Sequence, residues 1–168
     1  MKRSLILSLL IFATCCCIAA TIGIQSKVLN YGIFRFSPKE EVISSPETPS
    51  GITRIPAGAP ILVSATNQIP ARIGIRFGMT YEINKLPVPD GEAEITKIAK
   101  HPPITKPDGT TSTGFTFVEK QLVKNGPIVG WTGYGFDHDY ELVTGRWEFE
   151  MKFDNKTLCK QEFIVFKG

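Results

Sequence analysis

Residues 69–83 read Ile-Pro-Ala-Arg-Ile-Gly-Ile-Arg-Phe-Gly-Met-Thr-Tyr-Glu-Ile. An apolar side chain stands at every odd position (Ile69, Ala71, Ile73, Ile75, Phe77, Met79, Tyr81, Ile83), with Pro70, Arg72, Gly74, Arg76, Gly78, Thr80 and Glu82 between them. A period of two puts one face of an extended chain into a core. Unbroken, such a strand would run about 50 Å, longer than a small domain holds. It is therefore expected to bend or break near Gly74 or Gly78.

The same period recurs at Arg146–Phe153, where Trp147, Phe149, Met151 and Phe153 alternate with Arg146, Glu148, Glu150 and Lys152. This is the pattern of a half-buried antiparallel strand. Asp154, Asn155 and Lys156 supply turn chemistry, and Leu158–Phe166 reads as the returning strand of a hairpin. Leu158 and Phe163 differ in parity, which predicts a bulge between them. Weaker strands are read at Val28–Phe36, Pro60–Thr66 and Gly114–Val123. Glu92–Lys100 fits a strand or a short helix by period, and its length and the stop at Pro102-Pro103 favour a strand. All 12 prolines fall between Pro38 and Pro127, which leaves little room for long helices. Ser37–Ser50, with three of them, reads as a long surface loop. The expected fold is all-β, an immunoglobulin-like antiparallel β-sandwich of about seven or eight strands whose order spacing does not reveal.

The chain has 168 residues, 42% hydrophobic and 21% charged, the composition of one folded domain rather than a disordered segment. Its formal charge is +3, but Lys2 and Arg3 belong to a leader, and the remainder is nearly balanced. Such balance argues against a nucleic-acid binder, which needs a concentrated basic surface. Behind the two cations, residues 5–24 carry no charge, the pattern of a secretory signal, with Ala19, Ala20 and Gly23 as cleavage points. Residues 1–24 are thus expected to be a signal peptide or signal anchor and 25–168 the sandwich domain. The anchor stays open because about twenty apolar residues can span a bilayer. Cys15, Cys16 and Cys17 lack the small preceding residue that a lipidated cysteine needs, and read as apolar residues of the leader. With the leader removed only Cys159 remains, so no intrachain disulfide supports the domain.

Several separated stretches together resemble one family. They are Tyr31-Gly32-Ile33; Ile69-Pro70-Ala71 with Gly74 and Phe77-Gly78; and His101-Pro102 with Pro107 and Gly109. Near the end follow Gly133-Tyr134, Phe136-Asp137-His138, Glu141-Leu142-Val143, Gly145, Trp147, Phe149-Glu150, Gln161 and Phe163. The chain resembles the short exported bacterial proteins catalogued as domain of unknown function 3859. The resemblance implies an exported immunoglobulin-like sandwich and brings no activity with it.

The densest polar group is Phe136-Asp137-His138-Asp139-Tyr140-Glu141. Extended, it would place Asp137, Asp139 and Glu141 on one face about 7 Å apart, too far to share one ion directly. A bent loop could gather Asp137, His138, Asp139 and Glu141 around calcium, or around zinc if His101 joined; a solvated loop is the plain alternative. The same spacing would suit a hydrolase centred on Asp137, His138 and Asp139, since carboxylates that flank a glycosidic bond stand about 5–9.5 Å apart. Cys159 reads as a buried, inert thiol.

Gly130–Phe136 mixes glycines with aromatics, so Trp131 and Tyr134 could offer ring faces to a sugar or peptide, or simply fill the core of a bulged strand. Its glycines lack the spacing of a phosphate loop. Arg72 and Arg76 share a parity and could grip an anion, or lie solvated on the outer face. No catalytic residue and no cofactor is assigned. The expected protein is a non-catalytic binding module of the periplasm or cell envelope. Its partner would be an envelope protein or glycan, not nucleic acid, with membrane contact only if the leader is retained or lipidated.

Overall fold

The alternation at 69–83 breaks where glycine permits it. In the computed structural model, which describes residues 23–88, 91–123 and 126–168, the stretch becomes two strands in different sheets. Gly74 adopts a φ of +82° at the crossing, a conformation that costs a residue with a Cβ. Ile73, apolar in the pattern, lies there 45% exposed. Residues 1–22, which include Lys2, Arg3, the three cysteines and most of the expected leader, lie outside the described residues.

The described residues form eleven strands, in order β1 (Gln25–Arg35), β2 (Glu40–Ser44), β3 (Ile52–Pro56), β4 (Ile61–Ser64), β5 (Gln68–Ala71), β6 (Arg76–Asn84), β7 (Gly91–Thr105), β8 (Thr111–Val123), β9 (Ile128–Gly135), β10 (Gly145–Phe153) and β11 (Lys156–Lys167). A short 3₁₀ turn spans Asp139–Glu141. One sheet has the order β4-β1-β6-β9, the other β5-β11-β10-β7-β8, and among the described residues β2 and β3 pair only with each other. The fold is an immunoglobulin-like β-sandwich. The count exceeds seven or eight because the long strand splits and Ser37–Ser50, expected as a loop, instead supplies β2 of a separate hairpin. One pair departs from the antiparallel expectation: β5 runs parallel to β11, because the chain uses β5 as an edge strand before crossing to the other sheet.

The core is where the odd positions of β6 meet those of β10 and β11. Phe77, Met79, Tyr81 and Ile83 face Trp147, Phe149, Met151, Phe163 and Val165, all buried. The Phe77 ring lies 5.4–5.6 Å from those of Trp147, Phe149 and Phe163, in the edge and tilted arrangements that aromatic quadrupoles favour.

Asp154 (φ 46°) and Asn155 (φ 61°) form the turn expected between β10 and β11, with the left-handed geometry of a tight hairpin. The expected bulge falls at Leu158 itself, since Met151 pairs with Cys159 and Lys152 with Thr157. Pro102-Pro103 does not end β7; the register slips between Lys100 and Ile104 and pairing with β8 resumes. Two residues without an N–H cannot continue a ladder, and the strand bulges past them.

Candidate functional site

β9 ends one sheet and β8 ends the other, and the β2–β3 hairpin arches over that side. A lone two-stranded hairpin is marginally stable in water, so its position rests on bonds to the sandwich. Arg76 of β6 makes two N–H bonds to the Glu40 carboxylate, one of them 2.9 Å long. Arg54 of β3 donates from Nε and Nη2 to the two oxygens of Asp137, both at 3.2 Å, and lies 3.8 Å from Glu40. Arg76 holds the Glu40 carboxyl below the ordinary carboxylate range, and Glu40 raises Arg76 in return. At the hairpin tip the Tyr140 hydroxyl donates to the Pro49 carbonyl and Lys106 to that of Pro46, each at 3.3 Å.

Beneath the hairpin lies a cavity of about 920 Å³ lined by Ile52, Pro56, Phe115, Phe117, Trp131 and Tyr134, among others. Its floor carries a charge. Ala93, Ile95, Lys97 and Ala99 of β7 are the inward positions, so Lys97 enters a row that is otherwise apolar and is 6% exposed. Its ammonium pairs with Glu119 of β8, donates to the Trp131 carbonyl at 3.2 Å, and lies 5.6 Å and 5.7 Å from the centres of the Tyr81 and Phe117 rings. A buried cation is tolerated only with such partners. No sequence motif singles out Lys97 or Glu119; the one signal is a lysine at an inward parity.

Trp131 and Tyr134 lie on opposite faces of β9. Tyr134 is a core residue against Trp147 at 5.0 Å. Trp131 turns the other way, packs edge-on to Phe36 at 4.9 Å, and its indole N–H has no hydrogen-bond partner among the described residues. The glycines beside them do not serve to uncover rings. A Cβ on Gly130 would stand 2.4 Å from the Tyr81 hydroxyl, and one on Gly133 would stand 2.2 Å from the Phe77 carbonyl oxygen, so close packing on β6 requires them. Arg72 and Arg76 are not brought together, since Arg72 is exposed at the sheet crossing and Arg76 is committed to Glu40.

The acidic loop bends, yet its carboxylates diverge. Glu141 is fully buried and accepts the Tyr134 hydroxyl at 2.6 Å and the N–H groups of Asp137 and His138 at 2.6 and 2.8 Å. Burial first, then this carboxylate, push the Tyr134 hydroxyl far above its ordinary value, so it remains a donor. Asp137 faces Arg54, while Asp139 and His138 are exposed, His138 stacked on Tyr140. His101 is buried elsewhere, 4.9 Å from the Trp147 ring, with Nδ1 at 2.7 Å from the Pro102 carbonyl. Among the described residues no three His, Cys, Asp or Glu side chains are grouped to hold a metal ion. The extended arrangement of Asp137, Asp139 and Glu141 is therefore corrected: the 3₁₀ turn directs one carboxylate inward, one to the hairpin and one to water. Cys159 is buried, and burial raises its thiol.

Residues 24–165 match the family model described as a domain of unknown function, DUF3859. The chain belongs to this family. Among curated proteins none matches. Of solved structures, an immunoglobulin-like protein from Pseudomonas aeruginosa superposes with a TM-score of 0.62 at 23% identity, over 88% of this chain and 99% of that one. This is a likeness of fold. A Pseudomonas fluorescens alkylpurine DNA glycosylase bound to DNA gives a TM-score of 0.41 at 11% identity, over 61% of this chain and 28% of that one. That weaker likeness carries no argument. For this DUF3859 member, the cavity and its hairpin roof are the features from which a role can be argued.

Proposed function

We propose that the protein is a non-catalytic binding module of the bacterial cell envelope that takes its ligand, an envelope protein segment or glycan, under the β2–β3 hairpin. The observation that carries this reading is the cavity of about 920 Å³, apolar at its walls, with the Lys97–Glu119 pair at its floor. Ligand sites commonly have this size and this mixture of apolar lining with a few polar groups. The uncharged stretch behind Lys2 and Arg3 supports export. The divergence of Asp137, His138 and Asp139 favours binding over hydrolysis, because general acid and base groups must reach the same bond.

Titration with an uncharged apolar fluorophore tests the cavity. Saturable binding is expected, weakened by Phe117→Trp, which fills the space; binding that never saturates and ignores the substitution would count against the reading. Fractionation of cells, with the mass of the recovered chain, tests export. Recovery of intact chain from the cytoplasm would remove the envelope setting.

A further inference from the structure

Among the described residues β9 pairs with β6 alone. Phe136, just beyond it, donates its N–H to Ile75 and accepts from Gly74, so the even positions turn their main chain toward β6. Alternation along an antiparallel strand then directs the N–H and C=O groups of Val129, Trp131, Gly133 and Gly135 to the free edge. The Trp131 carbonyl confirms the direction, for Lys97 takes it from the opposite side. All four residues line the cavity. A row of main-chain donors and acceptors thus runs along a roofed groove, where an unpaired strand edge is a template for another strand.

The charges of the groove narrow what can lie there. Lys97 is paired with Glu119, Arg54 with Asp137 and Arg76 with Glu40, and Lys120 at the exposed rim stands 3.8 Å from Glu92, so each cation of the lining already has its anion. Glu47 lines the rim at the hairpin tip, where it is exposed to solvent; what remains unpaired inside the groove is main chain, apolar surface and the Trp131 indole N–H, which needs an acceptor. We infer that the free edge of β9 accepts an extended, uncharged peptide segment of a partner protein as an added strand. This rests on the binding reading above. Main-chain bonds to Val129, Gly133 and Gly135 give affinity, while alternate side chains of the segment lie toward Phe115 and Phe117 on one face and Trp131 on the other. From Val129 to Gly135 the edge extends about 20 Å, room for roughly six or seven residues.

The test is amide hydrogen exchange by NMR on the exported protein, with a panel of capped octapeptides alternating Val/Thr, Leu/Ser and Phe/Thr. Each peptide is matched by a control with proline at every second position. At least one peptide is expected to slow exchange at Val129, Gly133 and Gly135 by about tenfold or more, with its proline control inactive. Val129→Pro, which removes one outward N–H from an exposed edge position, should weaken that peptide by about fivefold or more, whereas Val129→Thr should not. If no peptide protects these amides, or if protection survives in the proline controls, strand addition is wrong. The apolar fluorophore separates the two failures: should it still fill the cavity, only the strand falls, and should it bind nowhere, the binding reading falls too.

Discussion

The Tyr134 hydroxyl donates to Glu141 at 2.6 Å, and the other oxygen of that carboxylate takes two backbone N–H groups of the turn that follows β9. One fully buried group therefore fixes the end of an edge strand to the loop that presents Asp137 to the hairpin. Tyr134→Phe leaves Glu141 short of a donor and should cost about 1–3 kcal/mol in urea unfolding. Glu141→Ala strands three donors at once and should cost more than Tyr134→Phe. Equal losses would show that the tyrosine bond carries the whole effect and that the two backbone bonds add nothing.

Arg54 joins the hairpin to Asp137 through two bonds, both partly exposed to solvent. Removing it with Arg54→Ala should lower global stability by less than about 1 kcal/mol, while proteolysis within residues 45–51 rises severalfold as the hairpin opens locally. A hairpin equally resistant in wild type and variant would mean that the Arg76–Glu40 pair and the tip contacts of Tyr140 and Lys106 hold it without Arg54.

Acid should release the same hairpin. Arg76 depresses the Glu40 carboxyl below its ordinary value of 4.5. The stabilisation is complete above that value and is lost as the pH falls through the lowered one. Protease sensitivity of the tip should therefore rise only below about pH 4.5, and Glu40→Gln should show high sensitivity at neutral pH as well.

His101 is a base where Glu40 is an acid, yet it gives the same sign of pH dependence. Burial lowers its pKa below the ordinary 6.5, so the folded state resists its protonation. The stability present above pH 6.5 is lost as the pH drops through the lowered value. His101→Phe keeps a ring against Trp147 and should flatten the fall in thermal midpoint between neutrality and about pH 5. An unchanged profile would assign that fall to carboxylates.

Gly133→Ala should destabilise by about 1–3 kcal/mol, because its Cβ meets backbone that cannot rotate away. Gly130→Ala meets only the end of the Tyr81 side chain and should cost less. Reversal of that order, measured by thermal unfolding, would contradict the close approach of β9 to β6.

Alternation along one strand was enough to determine the all-β class, the core faces of β6 and β10, and the turn at Asp154-Asn155, because all three depend on neighbours in sequence. The break near Gly74 was legible for the same reason: an alternation too long for a small domain must yield at its most permissive residue. Ser37–Ser50 was not, since β2 is short and exposed and its partner β3 lies beyond a turn. Nor was the fate of Asp137, Asp139 and Glu141, which share a parity in the sequence but not a direction in the folded turn.

Sequence alone thus determined which side chains face the core, a matter of period. Only the tertiary structure decided which edges stay free, where the hairpin rests, and that Lys97 meets Glu119 and the Trp131 carbonyl. Those relations join residues 22 and 34 positions from Lys97, and depend on strand order and long-range pairing that no local pattern encodes.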